Sequence, residues 1–299
     1  MRLGGIIVIA ILVVLFLILV VVRMGPDEGL DNNYWLQVEE NEELESDTYY
    51  FHQDNLDVSE LHTYNLIRAR VEEQWQEFEV VEVPKEFWDW NFNARLQQLD
   101  EIKTMIQTGE RGMPTLSGPH NGMIATHGNK RKDSAFSINN AVKGMGWLPK
   151  PEKMSEVRDL LLETWDSSIM EKIEVLESLY ERGTEIFDLS KQTSLELYTH
   201  PDFETQSFLN QMADPGVSIV FLDLPESYKL RCIVQMMHPN DPYLSDYERE
   251  IVEYINLIHD YFHGEMDRIS IGVVYHILQV YDNSPGRGGR GTRIMPRLP

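Results

Sequence analysis

The feature that most constrains this chain lies at its start. Ile6 to Val22 is an unbroken apolar run, IIVIAILVVLFLILVVV, preceded by Gly4 and Gly5. At about 1.5 Å of rise per helical residue, Gly4 to Val22 reaches roughly 28 Å, close to the hydrocarbon thickness of a bilayer. Its side chains together favour insertion by on the order of 5–10 kcal/mol. A cleaved signal peptide would carry a shorter apolar region of ~7–15 residues and a small-residue cleavage site. The run continues instead into VVVRMGPDEGL, which has no such site. The expectation is a single-pass transmembrane helix over residues 1–23, held in the lipid bilayer by Ile6–Val22. Arg2 and Arg23 nearly balance across it. The positive-inside rule therefore gives only a slight lean, placing the short N-terminus in the cytoplasm and the large remainder on the extracytoplasmic side.

The next segment is acidic. Residues 24–60 contain twelve Asp or Glu and no Lys or Arg. A block of like charges repels itself and stays solvated, so it reads as an acidic linker between membrane and body. Cys232 is the sole cysteine, which excludes an intrachain disulfide framework.

Residues 61–281 are expected to form one soluble α+β domain with a helical N-terminal portion. Leu61, Tyr64, Ile67, Val71, Trp75 and Phe78 recur at three- and four-residue steps, the period of an amphipathic helix. Pro84 opens a second helix and Gly109 fits its stop. A third is expected from about 152 to 182, then helices over 185–198 and 202–213. Beyond them the period shortens. Val217–Leu222 reads as a strand, as does Lys229–Met237 with Leu230, Cys232, Val234 and Met236 on one face. Ser245 and Glu248 form a capping box for a helix ending at His263. Ile269–Tyr281 is apolar on both faces and so reads as a central strand. The C-terminal part is thus a small, mostly antiparallel sheet with one packed helix.

Two segments run against the acidic whole, whose formal net charge is −23. Residues 109–153 hold seven glycines, four prolines, seven Lys or Arg and three acids, the composition of a flexible basic loop. Residues 282–299 form an Arg/Gly tail of net charge +3. Gly286, Gly288 and Gly291 there match G-x-G-x-x-G, but the eight residues after Gly291 cannot supply the helix and second strand of a dinucleotide site. Nucleic acid is disfavoured by the charge of the whole. The expected contact residues are Lys130, Arg131, Lys132, Arg287, Arg290 and Arg293, reaching acidic protein surfaces or other copies of the chain.

The sharpest chemical motif is HDYFH, residues 259–263. Two histidines four apart share a helical face, as in H-E-x-x-H zinc sites, but Asp260 replaces the glutamate and is shorter as a general base. The pair is assigned to the helix end, where imidazolium meets the negative dipole. No catalytic residue, metal or cofactor is assigned. The expected function is a membrane-anchored structural or assembly protein, such as a subunit of a virion or membrane complex. A membrane-tethered metal-dependent hydrolase using HDYFH is the alternative.

Overall fold

The computed structural model describes residues 34–38, 49–109, 118–129, 131, 133–285 and 291–297. The expected transmembrane run lies outside the described residues, as does much of the acidic linker. No helix among the described residues is long and apolar enough to cross a membrane.

The described residues form a mixed α+β structure around a large antiparallel sheet. A two-stranded ribbon, β1 (Leu36–Gln37) and β2 (Tyr49–Tyr50), leads into β3 (Leu56–Asp57) and one helical turn, α1 (Leu61–Tyr64). The expected helix beyond residue 64 is instead a hairpin, β4 (Leu66–Val71) and β5 (Gln74–Glu79). Glu72 and Glu73 turn it with φ of 51° and 64°, the positive values that a two-residue hairpin turn demands. Ile67 and Val71 are spaced by an even number, so the same residues fit a period of two. Ile67 and Ala69 are fully buried, whereas Tyr64 and Trp75 of the supposed helical stripe are exposed. This small sheet packs Leu61, Ile67, Ala69 and Val80 over Ile233.

Pro84 and Gly109 bound the helix α2 (Lys85–Thr108) as expected, with Gly109 left-handed at φ 70° and its N–H on the Met105 carbonyl. The glycine-rich segment after it is not one loop. It contains a hairpin, β6 (Asn121–Thr126) and β7 (Asn139–Gly144), paired in register from Asn121↔Gly144 to Thr126↔Asn139. The single helix expected over 152–182 is two, α3 (Met154–Glu163) and α4 (Ile169–Glu181). The break falls where Ser168 and Glu171 build a capping box that starts a new helix. Residues 185–198 yield only a turn, α5 (Gly183–Ile186), and then a strand, β8 (Lys191–Glu196). All six residues of β8 are buried, polar ones included, because β11 claims their backbone and the core encloses their side chains.

The remaining elements match expectation closely. They are α6 (Gln206–Ala213), β9 (Gly216–Asp223), β10 (Glu226–Met237), the Ser245-capped α7 (Asp246–His263), and β11 (Ile271–Asp282), which pairs on both edges. Within the Arg/Gly tail, Thr292–Met295 is a strand, β12, on β11.

The sheet has seven strands, in the order β12-β11-β10-β9-β6-β7, with β8 sharing the edge of β11 that β12 occupies. It is not the small sheet expected. Its two ends meet. Gly146, just past β7, exchanges hydrogen bonds of 2.8 and 2.9 Å with Thr193 of β8, completing a circuit of strands. A Cβ at Gly146 would lie 2.7 Å from the Thr193 Oγ1, so any other residue there would have to displace the Thr193 side chain. Inward residues such as Phe221, Leu230 and Cys232 form the core, against which α2 lays Phe87. Burial pushes the Cys232 thiol pKa up, consistent with a small apolar residue rather than a nucleophile.

Candidate functional site

Of the six expected contact residues, Lys130, Lys132, Arg287 and Arg290 lie outside the described residues. Arg131 is described and is engaged by the chain itself. Its Nε and Nη2 donate to the two carboxylate oxygens of Asp133, both at 2.9 Å, and Nη1 donates to the Glu204 carbonyl at 2.9 Å. The Asp133 carboxyl is held below its usual range by that guanidinium. The surrounding loop is pinned by Asn210 of α6, which is fully buried. Its amide donates to the Thr126 hydroxyl and the Ser137 carbonyl, and its oxygen accepts from the Asn129 and Gln206 N–H groups. The described part of the basic loop is therefore attached rather than flexible.

Arg293 falls in a different setting. It sits in β12 opposite Tyr281, and the register continues across the whole sheet. Tyr281 pairs with Lys229, Lys229 with Val220, Val220 with Met123, and Met123 with Val142. Because side chains opposite one another share a face, one row of six strands presents Val142, Met123, Val220, Lys229, Tyr281 and Arg293 together. Arg231 stands in the next row, opposite Ser218 and Gln279. The other face carries the core, since Tyr228, Leu230 and Cys232 alternate with Lys229 and Arg231.

The outward row is accessible at its apolar end, where Val142 and Met123 are exposed, and Leu222 and Leu224 are exposed beside Val220. At its cationic end Lys229 and Arg231 lie over the Tyr281 ring, at 4.3 and 5.4 Å from its centroid. Such contacts spread the side chains along the face while leaving their charge uncancelled. The ion pairs among the described residues involve other cations. Lys229 and the exposed Arg231 therefore form a cationic patch bordered by apolar residues, with the half-buried Arg293 next to it in register across Tyr281. Sequence reasoning missed Lys229 and Arg231, although the signal was present. Once Leu230 and Cys232 face inward, their neighbours must face out.

The histidines of HDYFH meet a third. His259 and His263 have ring centroids 4.9 Å apart, and His120, which precedes β6, lies 6.4 Å from His263. His259 Nδ1 donates to Asp260 Oδ1 at 2.9 Å, and Asp260 Oδ2 accepts the Met266 N–H at 3.3 Å. Both carboxylate oxygens are thus occupied, which leaves Asp260 poorly placed as a general base. His120 is buried beside Arg95, whose Nη1 approaches its Nδ1 at 3.5 Å. Burial, then the Arg95 charge, push the His120 pKa down to about 3. Arg95 is itself buried, and its other partners are neutral oxygens of Asn91, Tyr180, Pro119 and Met145. Among the described residues no group of three or more His, Cys, Asp or Glu is arranged to hold a metal ion.

A cavity of ≈ 360 Å³ lies between the small sheet and the turn before β8, lined in part by His62, Glu82, Lys150, Asp188 and Lys191. Lys191 donates to Asp188, so its charge is spent within the chain. The cavity has no net sign to select a ligand.

No family model matches the chain, and no curated protein matches it. Solved structures give distant likenesses. The crystal structure of HupZ from Group A Streptococcus is 12% identical, over 58% of this chain and 89% of its own, with a TM-score of 0.32. A histidine-to-alanine variant of HupZ gives 12%, 55%, 89% and 0.28 in the same order. A Clostridium acetobutylicum protein related to general stress protein 26 of B. subtilis, of the pyridoxinephosphate oxidase family, gives 8%, 62%, 88% and 0.26. Likenesses at that level carry nothing about ligand or reaction.

Proposed function

We propose that this chain is a single-pass membrane-anchored structural or assembly protein that docks acidic surfaces of partner proteins. In this reading Ile6–Val22 holds the chain at the bilayer and the outward face of the sheet is the docking surface. The row from Val142 to Arg293, with Arg231 beside it, supports the reading. Apolar residues and uncancelled cations side by side suit a partner segment in which carboxylates flank apolar side chains. Lys130, Lys132, Arg287 and Arg290 remain contact residues of the proposal. Arg131 does not, because its donors are taken by Asp133 and Glu204.

The test uses the full-length protein in lipid nanodiscs with fluorescent polyglutamate as the acidic probe. Exposed ion pairs are worth about 0.2–1 kcal/mol each, so reversing Lys229, Arg231 and Arg293 to Glu should weaken binding by about threefold or more. The salt response should also be distinctive. At 0.01 M salt the screening length of about 30 Å lets the net charge of the whole chain repel the probe, whereas at 0.15 M, about 8 Å, the local patch acts alone. Binding is expected to strengthen between those two conditions. Binding that is absent, or unaffected by the reversals, would remove this face from the proposal.

A further inference from the structure

We propose that His259 and His263 form a two-imidazole site for a nitrogen-preferring divalent cation of the zinc class, at the C-terminal end of α7. The site is independent of the docking face, and the sequence pattern by itself places the pair at the helix end without a ligand.

The geometry carries it. A zinc ion about 2.0–2.1 Å from a ring nitrogen sits roughly 3.2 Å from the ring centroid. Centroids 4.9 Å apart, with ring planes inclined by 40°, would then subtend about 100° at the ion, near the tetrahedral angle. The proton of His259 is placed as well. Its Nδ1 must be the donor to Asp260, because a carboxylate only accepts, so Nε2 keeps its lone pair. This is the carboxylate–histidine–metal arrangement in which an outer partner fixes the ring and raises its basicity. Asp260 is in turn fixed by the Met266 N–H. The negative end of the helix dipole favours a cation there.

The same arithmetic excludes the nearby His120. Centroids 6.4 Å apart would need an angle of about 180° at a shared zinc ion. Its Nδ1 moreover faces the Arg95 guanidinium, a fixed cation. The site therefore offers two protein ligands, leaving its other positions to water or to a donor from another molecule.

The experiment titrates the full-length protein with Zn²⁺ against a chromophoric chelator. One bound ion per chain is expected. His259→Ala and His263→Ala should each weaken it at least about tenfold, and Asp260→Asn by about 10–100-fold, the usual effect of losing an outer partner. His200→Ala, at a half-buried histidine elsewhere, should leave it unchanged. Thermal unfolding without added metal identifies any variant that fails to fold. Cu²⁺ bound to the unaltered chain should give electron paramagnetic resonance couplings from two imidazole nitrogens, a readout that needs no variant. Zinc binding equal in all variants, no binding at 1:1, or coupling to fewer than two imidazoles would overturn the proposal.

Discussion

Replacing Asn210 with Ala is the sharpest test of how the basic loop is held. Asn210 is fully buried and makes four side-chain hydrogen bonds, of 3.1 and 2.9 Å as donor and 3.0 and 2.7 Å as acceptor. An intramolecular hydrogen bond contributes about 1 kcal/mol net, and an orphaned buried partner costs about 1–3 kcal/mol. Ser137 is exposed and can turn its carbonyl to water, whereas the Thr126 hydroxyl is buried and cannot. The expected loss is therefore about 2–4 kcal/mol, read by urea unfolding of the full-length protein in detergent. Hydrogen exchange should lose protection around residues 126–139 in particular. Asn210→Asp should cost more than Ala, because it sets a carboxylate oxygen against the Ser137 carbonyl. A loss under about 0.5 kcal/mol with unchanged exchange would refute the reasoning, and the loop would be free after all.

Other perturbations probe closure, packing and protonation. Gly146→Ala drives a Cβ to 2.7 Å from Thr193 Oγ1 and should cost about 1–3 kcal/mol in thermal unfolding; Thr193→Ala in the same chain should relieve part of that cost, whereas Thr193→Val, which keeps the branched Cβ, should not. Gly183→Ala places a Cβ 2.5 Å from Cε2 of Phe92, which is enclosed by Trp147 and Phe187, so a loss of about 1–3 kcal/mol is expected, smaller in a Phe92→Leu background. His276 and His120 are both buried neutral, with burial first and then neighbouring cations pushing their pKa values down to about 3. The unfolded chain binds these protons below about pH 6.5 while the folded chain does not, so stability is full above that pH and falls as pH drops towards 3. Between pH 7.5 and 5 each should cost about 2 kcal/mol, and His276→Gln should flatten the denaturation profile.

Where the sequence was legible, a local signal had no competitor. Pro84 and Gly109 bracket α2, and Ser245 with Glu248 starts α7, because capping chemistry acts within a few residues. The double-sided apolarity of β11 goes with burial on both faces, since the successive residues Val273, Val274 and Tyr275 are all enclosed, while neighbours on both edges take its backbone. The failures are cases where distant partners decide. Residues 191–196 have no alternating pattern, and their polar side chains are buried only because β11 and the core enclose them. Residues 66–79 have an apolar spacing that two periods share, and the turn at Glu72-Glu73 lacks the usual glycine or asparagine. The docking row is of the same kind. Its residues come from six strands, and only the register brings them together. The histidine pair was visible as a motif, but its ring separation and the Asp260 contact belong to the folded chain.

Docking of acidic protein on the outward sheet face can be read in native membranes by crosslinking. A photo-reactive phenylalanine analogue would replace Met123 in the row or, as a control, Tyr243, which is exposed elsewhere. Adducts are expected from position 123, with crosslinked peptides rich in Asp and Glu, and they should disappear when Lys229, Arg231 and Arg293 are reversed to Glu. Adducts equally abundant from position 243, or peptides at position 123 without acidic excess, would contradict it.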